Sequence, residues 1–368
     1  FQCLHGMGEA LYGNVVSKDG DGLRCRIYAP VGRHETLLPY LVRRLLENGA
    51  NSSFVNRIVD EAVGIDELTA SPLLAVEQWQ GQPHPAIPLP ADLYGPTRRN
   101  SSGLDLADDR EIDRLDGELA ALRERRWEAR PLLAHGEGEG CQCEAVFNPA
   151  DRDDVVGRVH EASTAEVDMA LASASAFVGH WAAVPVGERA RLLRACADKL
   201  EEARSELISL CVREAGKTWS NAVAEIREAV DFCRYYAAQI ESLQPALAEP
   251  GVVVCISPWN FPLAIFTGEV IAALAAGSPV LAKPAEQTPL IAALAVRLMH
   301  EAGIPTAALQ LLPGRGETVG ARLTGDLRVR GVIFTGSTEV AQVINRSLAQ
   351  RPAEAPDAFL IAETGGQN

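Results

Sequence analysis

The sequence predicts an α/β protein whose larger part is a parallel sheet covered by helices. From about Val146 onward, short continuous apolar strands alternate with helices, a pattern typical of parallel strands that are buried on both faces. The 368 residues are 47% hydrophobic and 23% charged, which excludes a disordered chain and allows about two to three domains. Asp and Glu outnumber Lys and Arg by 49 to 34. The net charge of −15 argues against a nucleic-acid partner, because nucleic acids bind clustered basic surface.

The first zone, residues 1–63, has the pattern of a strand, a turn and a helix. A short strand is predicted at Arg24–Ala29 and a strong helix at His34–Asn48. Four side chains lie on one face of this helix at positions i, i+3, i+4 and i+7: Tyr40, Arg43, Arg44 and Glu47.

That helix face has two interpretations. Adjacent guanidinium groups can hold a small carboxylate by charge-assisted hydrogen bonds, and Tyr28 at the preceding strand end can pack over an apolar ring. The alternative is a solvated charged face without a ligand.

The second zone, residues 64–145, changes character. Its repeated prolines exclude a continuous helix or a central strand and predict an extended connector. Within it, Glu111–Trp127 has apolar residues spaced by three and four. This spacing predicts one amphipathic helix that covers a neighbouring domain or subunit.

The third zone, residues 146–368, is the α/β domain. Ser163 and Glu166 form a capping box that opens a helix through Trp181. The further predicted helices are 187–215, 221–243, one ending at 275, 289–302, a short one near 320, and 338–349. The predicted strands are 252–256, 280–282, 309–312, 331–334 and 359–362.

Polar or glycine-rich motifs follow each of these five strands. Ligands of parallel sheets bind beyond the carboxyl ends of the strands, so these motifs are the candidate site. In chain order they are SPWNFP at 257–262, KPAEQT at 283–288, PGRGETVG at 313–320, FTGSTEV at 334–340 and ETGG at 363–366.

The side chains in these motifs suit a dinucleotide and acid/base chemistry. The Asn260 amide can donate to a developing oxyanion, or can cap the next helix. Lys283 and Glu286 can clamp the hydroxyls of a ribose, or can form a surface ion pair.

The last two motifs add a phosphate site and a base. Gly336 allows close backbone approach, and Ser337 opens a helix whose free N–H groups can hold a pyrophosphate. Glu363, before a glycine pair, can act as a general base, although a tight turn is the alternative.

The eight cysteines are sparse and irregular, unlike a secreted disulfide framework. The CxC motif of Cys141 and Cys143 has no second pair nearby, so no metal site is expected. No apolar run reaches the ~18 residues of a membrane span, and a reducing cytoplasm fits best. Buried free thiols are predicted at Cys196, Cys211, Cys233 and Cys255.

The five motifs, in this order and spacing, resemble the NAD-binding half of the aldehyde dehydrogenase superfamily, a Rossmann-like parallel α/β domain. The resemblance implies that Asn260 stabilises the thiohemiacetal oxyanion and that Glu363 is the general base for thioester hydrolysis. A glutamate on the ribose favours NAD over NADP. The implied NAD-binding residues are Ile256, Ser257, Pro258, Trp259, Lys283, Ala285, Glu286, Gly316, Gly320, Phe334, Gly336, Ser337 and Val340.

The nucleophile of that family is a cysteine some tens of residues after the ExGG motif, beyond Asn368. None of the eight cysteines present occupies that position. Because the chain opens on Phe1 without Met and stops after a glycine pair, both ends are interpreted as cuts in a longer protein. The chain alone is therefore expected to be inactive.

The motifs FQCLHGMGE, RIYAPVG and YLVRRLLENGANSSFVNRI resemble the C-terminal end of the (β/α)8 barrel of proline dehydrogenase, an FAD enzyme. In that family the two arginines bind the proline carboxylate. The tyrosines wall the pyrroline pocket, and the glutamate supports the arginine pair near the flavin. The residues implied here are Tyr28, Tyr40, Arg43, Arg44 and Glu47.

The order of the three zones resembles the proline utilization A family, which joins both enzymes in one chain. The resemblance implies oxidation of L-proline to pyrroline-5-carboxylate with FAD, and of L-glutamate γ-semialdehyde to L-glutamate with NAD. It further implies a homo-oligomer in the cytoplasm. Peripheral membrane association and a quinone acceptor are two further options. The open alternatives are an inactive nucleotide-binding scaffold and an aldehyde dehydrogenase of other specificity.

Overall fold

The computed structural model describes residues 1–5, 12, 16, 23–49, 57, 60–83, 87–243 and 250–365. The chain divides into two compact units, Phe1–Ile87 and Pro88–Asn368. The boundary between them falls inside the predicted connector, residues 64–145.

The first unit contains the predicted strand and helix. Strand β1 (Gln2–Leu4) pairs in parallel with β2 (Arg26–Tyr28), and helix α1 (His34–Gly49) follows β2. Two short helices, α2 (Ile65–Leu68) and α3 (Pro72–Gln78), lie in the predicted connector, which is therefore not extended throughout. Proline is tolerated at the first position of a helix, where its missing N–H has no partner to lose.

The second unit begins with a 3₁₀ turn at Pro90–Asp92 and contains nine helices among its described residues. They are α4 (Asp109–Ala121), α5 (Thr164–Ala182), α6 (Val186–Glu202), α7 (Arg204–Arg213), α8 (Trp219–Ser242), α9 (Ala264–Ala275), α10 (Pro289–Glu301), α11 (Ala321–Gly325) and α12 (Thr338–Ala349), with a π-helical turn at Gly316–Gly320 before α11. The strands are β3 (Trp127–Ala129), β4 (Leu132–Leu133), β5 (Gly136–Glu137), β6 (Gln142–Asn148), β7 (Asp151–Glu161), β8 (Val252–Ile256), β9 (Val280–Lys283), β10 (Leu309–Leu311), β11 (Val329–Gly336) and β12 (Phe359–Thr364).

Seven strands form the main sheet in the order β12–β11–β8–β9–β10–β4–β5. The first five are parallel, whereas β4 and β5 add an antiparallel edge. β8 comes first of the five parallel strands in the chain but lies in their middle, so the strand order reverses between β8 and β11. This is the doubly wound arrangement in which ligands bind at the reversal, and the predicted parallel α/β class is confirmed.

Two element predictions need correction. The helix predicted at Glu111–Trp127 ends at Ala121, because Trp127 starts β3 as a buried strand residue whose indole N–H donates to Glu206. The single helix predicted over 187–215 is broken at Ala203 into α6 and α7. β3 pairs in parallel with β7, and β6 pairs with β7 as a hairpin, in a separate three-stranded sheet.

The core lies on both faces of the main sheet. Along β8, Val253 and Cys255 join the larger buried cluster, whereas Val252 and Val254 join the smaller cluster on the other face. This alternation is the period of two that a strand buried on both faces requires.

No single helix in the described ranges is long and apolar enough to span a membrane. Helices α5 and α6 taken together have the length and composition of a membrane span, and the chain bends by 118° at the break between them.

Candidate active site

The register of the parallel strands brings the predicted motifs side by side. Ile256 at the end of β8 pairs with Lys283 of β9 on one side and with Phe334 of β11 on the other. Thr335 pairs in turn with Glu363 of β12. Four of the five motifs therefore start at adjacent points of one sheet edge.

The loop after β8 presents Asn260 at this edge. The Ser257 N–H donates to the Lys283 carbonyl at 3.3 Å, and the buried Ser257 hydroxyl has no hydrogen-bond partner among the described residues. Trp259 and Asn260 are exposed, while Pro258 is half-buried. The loop thus has a fixed base and an accessible tip.

Two buried glutamates that the sequence reasoning missed anchor the helices after β8 and β9. Glu225 of α8 accepts from the N–H of Ala264 at 2.8 Å and lies 2.8 Å from the Lys217 ammonium. Glu214 accepts from the N–H groups of Leu290 and Ile291 at 2.7 and 2.9 Å. Such carboxylates at helix N-termini satisfy free donors and fix where the helix begins.

Burial raises the pKa of Glu214 to about 8, and the two N–H donors only partly offset it. The native state therefore holds this proton more tightly than the unfolded chain does, so stability should fall as pH rises from about 4.5 toward 8. We expect the thermal midpoint of the full-length protein to fall less over this window in Glu214→Gln, while the exposed control Glu188→Gln should follow wild type. Parallel curves for Glu214→Gln and wild type would contradict this linkage.

Lys283 is buried beneath the predicted ribose site. Its ammonium donates to the Pro284 carbonyl at 3.1 Å and lies 3.6 Å from the half-exposed Glu286 carboxylate. Burial lowers the pKa of Lys283, and the charge of Glu286 partly offsets that effect. Ala285 is buried, and Gly320 lies against the aliphatic stem of Lys283.

A pocket of about 280 Å³ adjoins Glu286. Arg315 bridges its walls, 3.0 Å from Glu144 of β6 and 3.4 Å from Glu161 of β7. The sequence reasoning missed these partners because they lie 171 and 154 residues away in sequence. The residues that line the pocket are Glu144, Val159, Glu161, Glu286, Pro289, Gly314, Arg315 and Glu317. Gly316 has open space around it.

The motif at the end of β11 combines a close contact between the Gly336 backbone and a ring with a helix cap. A Cβ on Gly336 would lie 2.6 Å from the buried Phe334 ring, so a side chain there would displace the ring. The Ser337 hydroxyl accepts from the Val340 N–H at 3.3 Å and caps α12, as predicted. Val340 is exposed.

Glu363 lies exposed near the end of β12, at the outer edge of the parallel strands. Gly365 follows with a left-handed φ of +48°, which favours glycine at that turn. Gly366 lies outside the described residues.

The predicted proline and flavin residues belong to the first unit. Tyr28 is the last residue of β2 and is exposed. Tyr40 and Arg43 lie one turn apart on α1; Tyr40 is half-buried and Arg43 is exposed. The side chains of Arg44 and Glu47 lie outside the described part of the chain.

No cluster of three or more His, Cys, Asp or Glu side chains suited to a metal ion occurs among the described residues. The predicted burial of four thiols is confirmed at Cys196, Cys211, Cys233 and Cys255.

The reversed strand order and the motifs beside it define a doubly wound α/β domain, in which ligands bind at the reversal. The family model described as the aldehyde dehydrogenase family matches residues 137–368, so the chain belongs to that family. The proline dehydrogenase family model matches residues 1–57.

The similar proteins include bifunctional ones. The Bifunctional protein PutA of Klebsiella aerogenes is 58% identical over 381 residues, covering all of this chain and 29% of the relative. The chain therefore spans less than a third of that relative. A mutant of proline utilization A from Bradyrhizobium japonicum matches with a TM-score of 0.73 and 45% identity, over 100% of this chain and 35% of the other.

A single-function enzyme is also similar. The structure of 1-pyrroline-5-carboxylate dehydrogenase from Thermus with bound NAD matches with a TM-score of 0.70 and 30% identity. It covers 77% of this chain and 57% of that one.

Proposed function

We propose that this chain carries the NAD-binding and acid/base part of an L-glutamate γ-semialdehyde dehydrogenase, in a protein that also oxidises L-proline with FAD. The observation that carries the proposal is the set of motifs aligned at one sheet edge, in a chain that matches both family models. It is tested by assaying the full-length protein for NAD reduction with pyrroline-5-carboxylate.

Features of the sheet edge fit NAD. The unpartnered, buried Ser257 hydroxyl offers a polar group, and Ser337 caps the start of α12, where free N–H groups can hold a phosphate. Lys283 and Glu286 offer a donor and an acceptor for a ribose diol. Four carboxylates line the adjoining pocket: Glu144, Glu161, Glu286 and Glu317. They favour NAD over NADP because they would repel a 2′-phosphate.

Asn260 and Glu363 are the proposed groups of the reaction. The exposed Asn260 amide donates to the oxyanion that develops on the aldehyde oxygen. A cysteine thiolate of the full-length protein would attack the aldehyde carbon and give a thiohemiacetal. A bound NAD would supply the acceptor for the hydride of that carbon, whose loss leaves the thioester. Glu363 then takes a proton from the water that hydrolyses the thioester, which releases the carboxylic acid.

The substrate assignment follows the relatives. The similar proteins include the Bifunctional protein PutA and a 1-pyrroline-5-carboxylate dehydrogenase of Bacillus subtilis. Pyrroline-5-carboxylate, the product of proline oxidation, hydrolyses to the semialdehyde, so the two activities supply and consume one intermediate. The proposal includes FAD, a homo-oligomer, a quinone acceptor at the membrane and a cytoplasmic location. The buried thiols of Cys196, Cys211, Cys233 and Cys255 support that location.

Glu286→Gln should weaken NAD binding about tenfold in the full-length protein, because the charged acceptor for the ribose is lost. The ratio of the affinity for NAD to the affinity for NADP should also decrease, because one negative charge that repels the 2′-phosphate is removed. Titration calorimetry with NAD and NADP measures both effects, with the exposed Gln287→Ala as control. Unchanged affinity and unchanged discrimination would place Glu286 outside the cofactor site.

Arg43→Met together with Arg44→Met should raise the KM for proline by about 10- to 100-fold, because two charge-assisted bonds to the carboxylate are lost. Aldehyde oxidation should keep its wild-type rate. Arg33→Met, at an exposed position before α1, is the matched control. A proline KM that equals the wild-type value would refute the carboxylate assignment.

A further inference from the structure

Glu269 is a buried carboxyl that the proposed reaction does not use. It lies on α9, the helix that follows the Asn260 loop, and is 6% exposed. Neither of its oxygens meets strict hydrogen-bond geometry with another described residue. A carboxyl buried in this way is costly unless it is neutral or has a partner in the working site.

The polar groups around Glu269 lie on the two strands that end at the site. The Thr335 side chain of β11 is a weak hydrogen-bonding neighbour of the Glu269 carboxyl, and the Glu363 charge acts on the same group. Thr335 and Glu363 are register partners on adjacent parallel strands, so their side chains lie on the same face of the sheet. In burial the three residues range from buried Glu269 through half-buried Thr335 to exposed Glu363, and they are called the row below.

The two carboxyl groups have opposite environments. Burial raises the pKa of Glu269 well above its usual range, the neighbouring Thr335 side chain partly opposes this, and the charge of Glu363 adds to it. Glu363 is exposed. The buried Glu269 carboxyl is therefore held in its neutral form, in which it can donate a hydrogen bond.

We propose that Glu269 is a positioning residue for Glu363: its neutral carboxyl donates to the Thr335 hydroxyl, which in turn donates to the Glu363 carboxylate and holds it toward the hydrolytic water. This role rests on the proposed function of Glu363. It accounts for a polar side chain placed where an apolar one would pack at less cost.

Other charged groups near the row are accounted for. Glu225 is paired with Lys217. Cys255 of β8 is a buried thiol, and burial together with the neighbouring Glu269 raises its pKa. Glu228 of α8 is the other carboxylate coupled to Glu363, and it is exposed. Glu228→Gln is therefore the control for electrostatic effects on Glu363, since it removes a neighbouring charge and leaves Glu269 and Thr335 unchanged.

The experiment compares Glu269→Gln, Glu269→Leu and Glu228→Gln in the full-length protein by steady-state kinetics with pyrroline-5-carboxylate and NAD across pH. Glu269→Leu should lower kcat about tenfold, with little change in KM for NAD, and should shift the acidic limb of the kcat profile. Glu269→Gln retains a neutral donor and should stay within about threefold of wild type. Glu228→Gln should keep the wild-type maximum kcat, because it leaves the contact between Glu269 and Thr335 in place.

An infrared difference spectrum measures the protonation of Glu269 directly and does not depend on turnover. At neutral pH, wild type minus Glu269→Gln should show the C=O stretch of one protonated carboxyl. Absence of that band, a Glu269→Leu profile that superimposes on wild type, or equal damage from Gln and Leu would each overturn the positioning role. Inactivity of wild type would instead overturn the proposed function, even with the infrared band present.

Discussion

Replacing Glu363 by Gln should lower steady-state kcat for aldehyde oxidation by about 10²–10⁴-fold in the full-length protein, because the general base for thioester hydrolysis is lost. The first turnover should still release NADH, since the base acts after hydride transfer. Rapid-quench or stopped-flow measurement of NADH formation separates these phases. The expected result is a burst of about one NADH per site followed by a slow phase.

The control for this substitution is Glu354→Gln, an exposed carboxylate on the loop before β12. It should leave both phases unchanged. A Glu363→Gln protein with a normal slow phase would exclude Glu363 as the base, and loss of the burst would assign it to an earlier step.

Replacing Asn260 by Ala should lower kcat by about 10²–10³-fold, because the side-chain donor to the developing oxyanion is removed. Unlike the loss of Glu363, this change should slow the burst itself, since the oxyanion forms before hydride transfer. The loop around Asn260 should stay in place, because Ser257 is tied to Lys283 and Glu225 holds the start of α9.

Asn345→Ala, on the exposed face of α12, is the matched control for the loss of an amide. It should follow wild type in both phases. A normal burst rate in Asn260→Ala would contradict the oxyanion role and leave Asn260 as a residue of the turn alone.

The parallel sheet could be predicted because its strands are continuous apolar runs. Val252–Ile256 was predicted with its observed bounds, and the β9 strand was predicted one residue short. Residues buried on both faces have no polar alternation to confuse the pattern. The position of the motifs at strand ends then located the edge where they meet.

The anchoring contacts could not be predicted because they join distant parts of the chain. Glu214 and Glu225 have the sequence environment of ordinary helix residues, and only the fold places them at the starts of α10 and α9. The same holds for Arg315 with Glu144 and Glu161. The connector was mispredicted in part because prolines also start helices, as Pro72 does.

The most direct test of the account is NAD reduction by the purified full-length protein supplied with pyrroline-5-carboxylate, followed by absorbance of NADH. The account predicts steady turnover with L-glutamate as product, a preference for NAD over NADP, and loss of turnover in Glu363→Gln. NAD binding without any turnover of pyrroline-5-carboxylate would contradict it and identify the domain as a nucleotide-binding scaffold. Turnover of other aldehydes alone would contradict the substrate assignment.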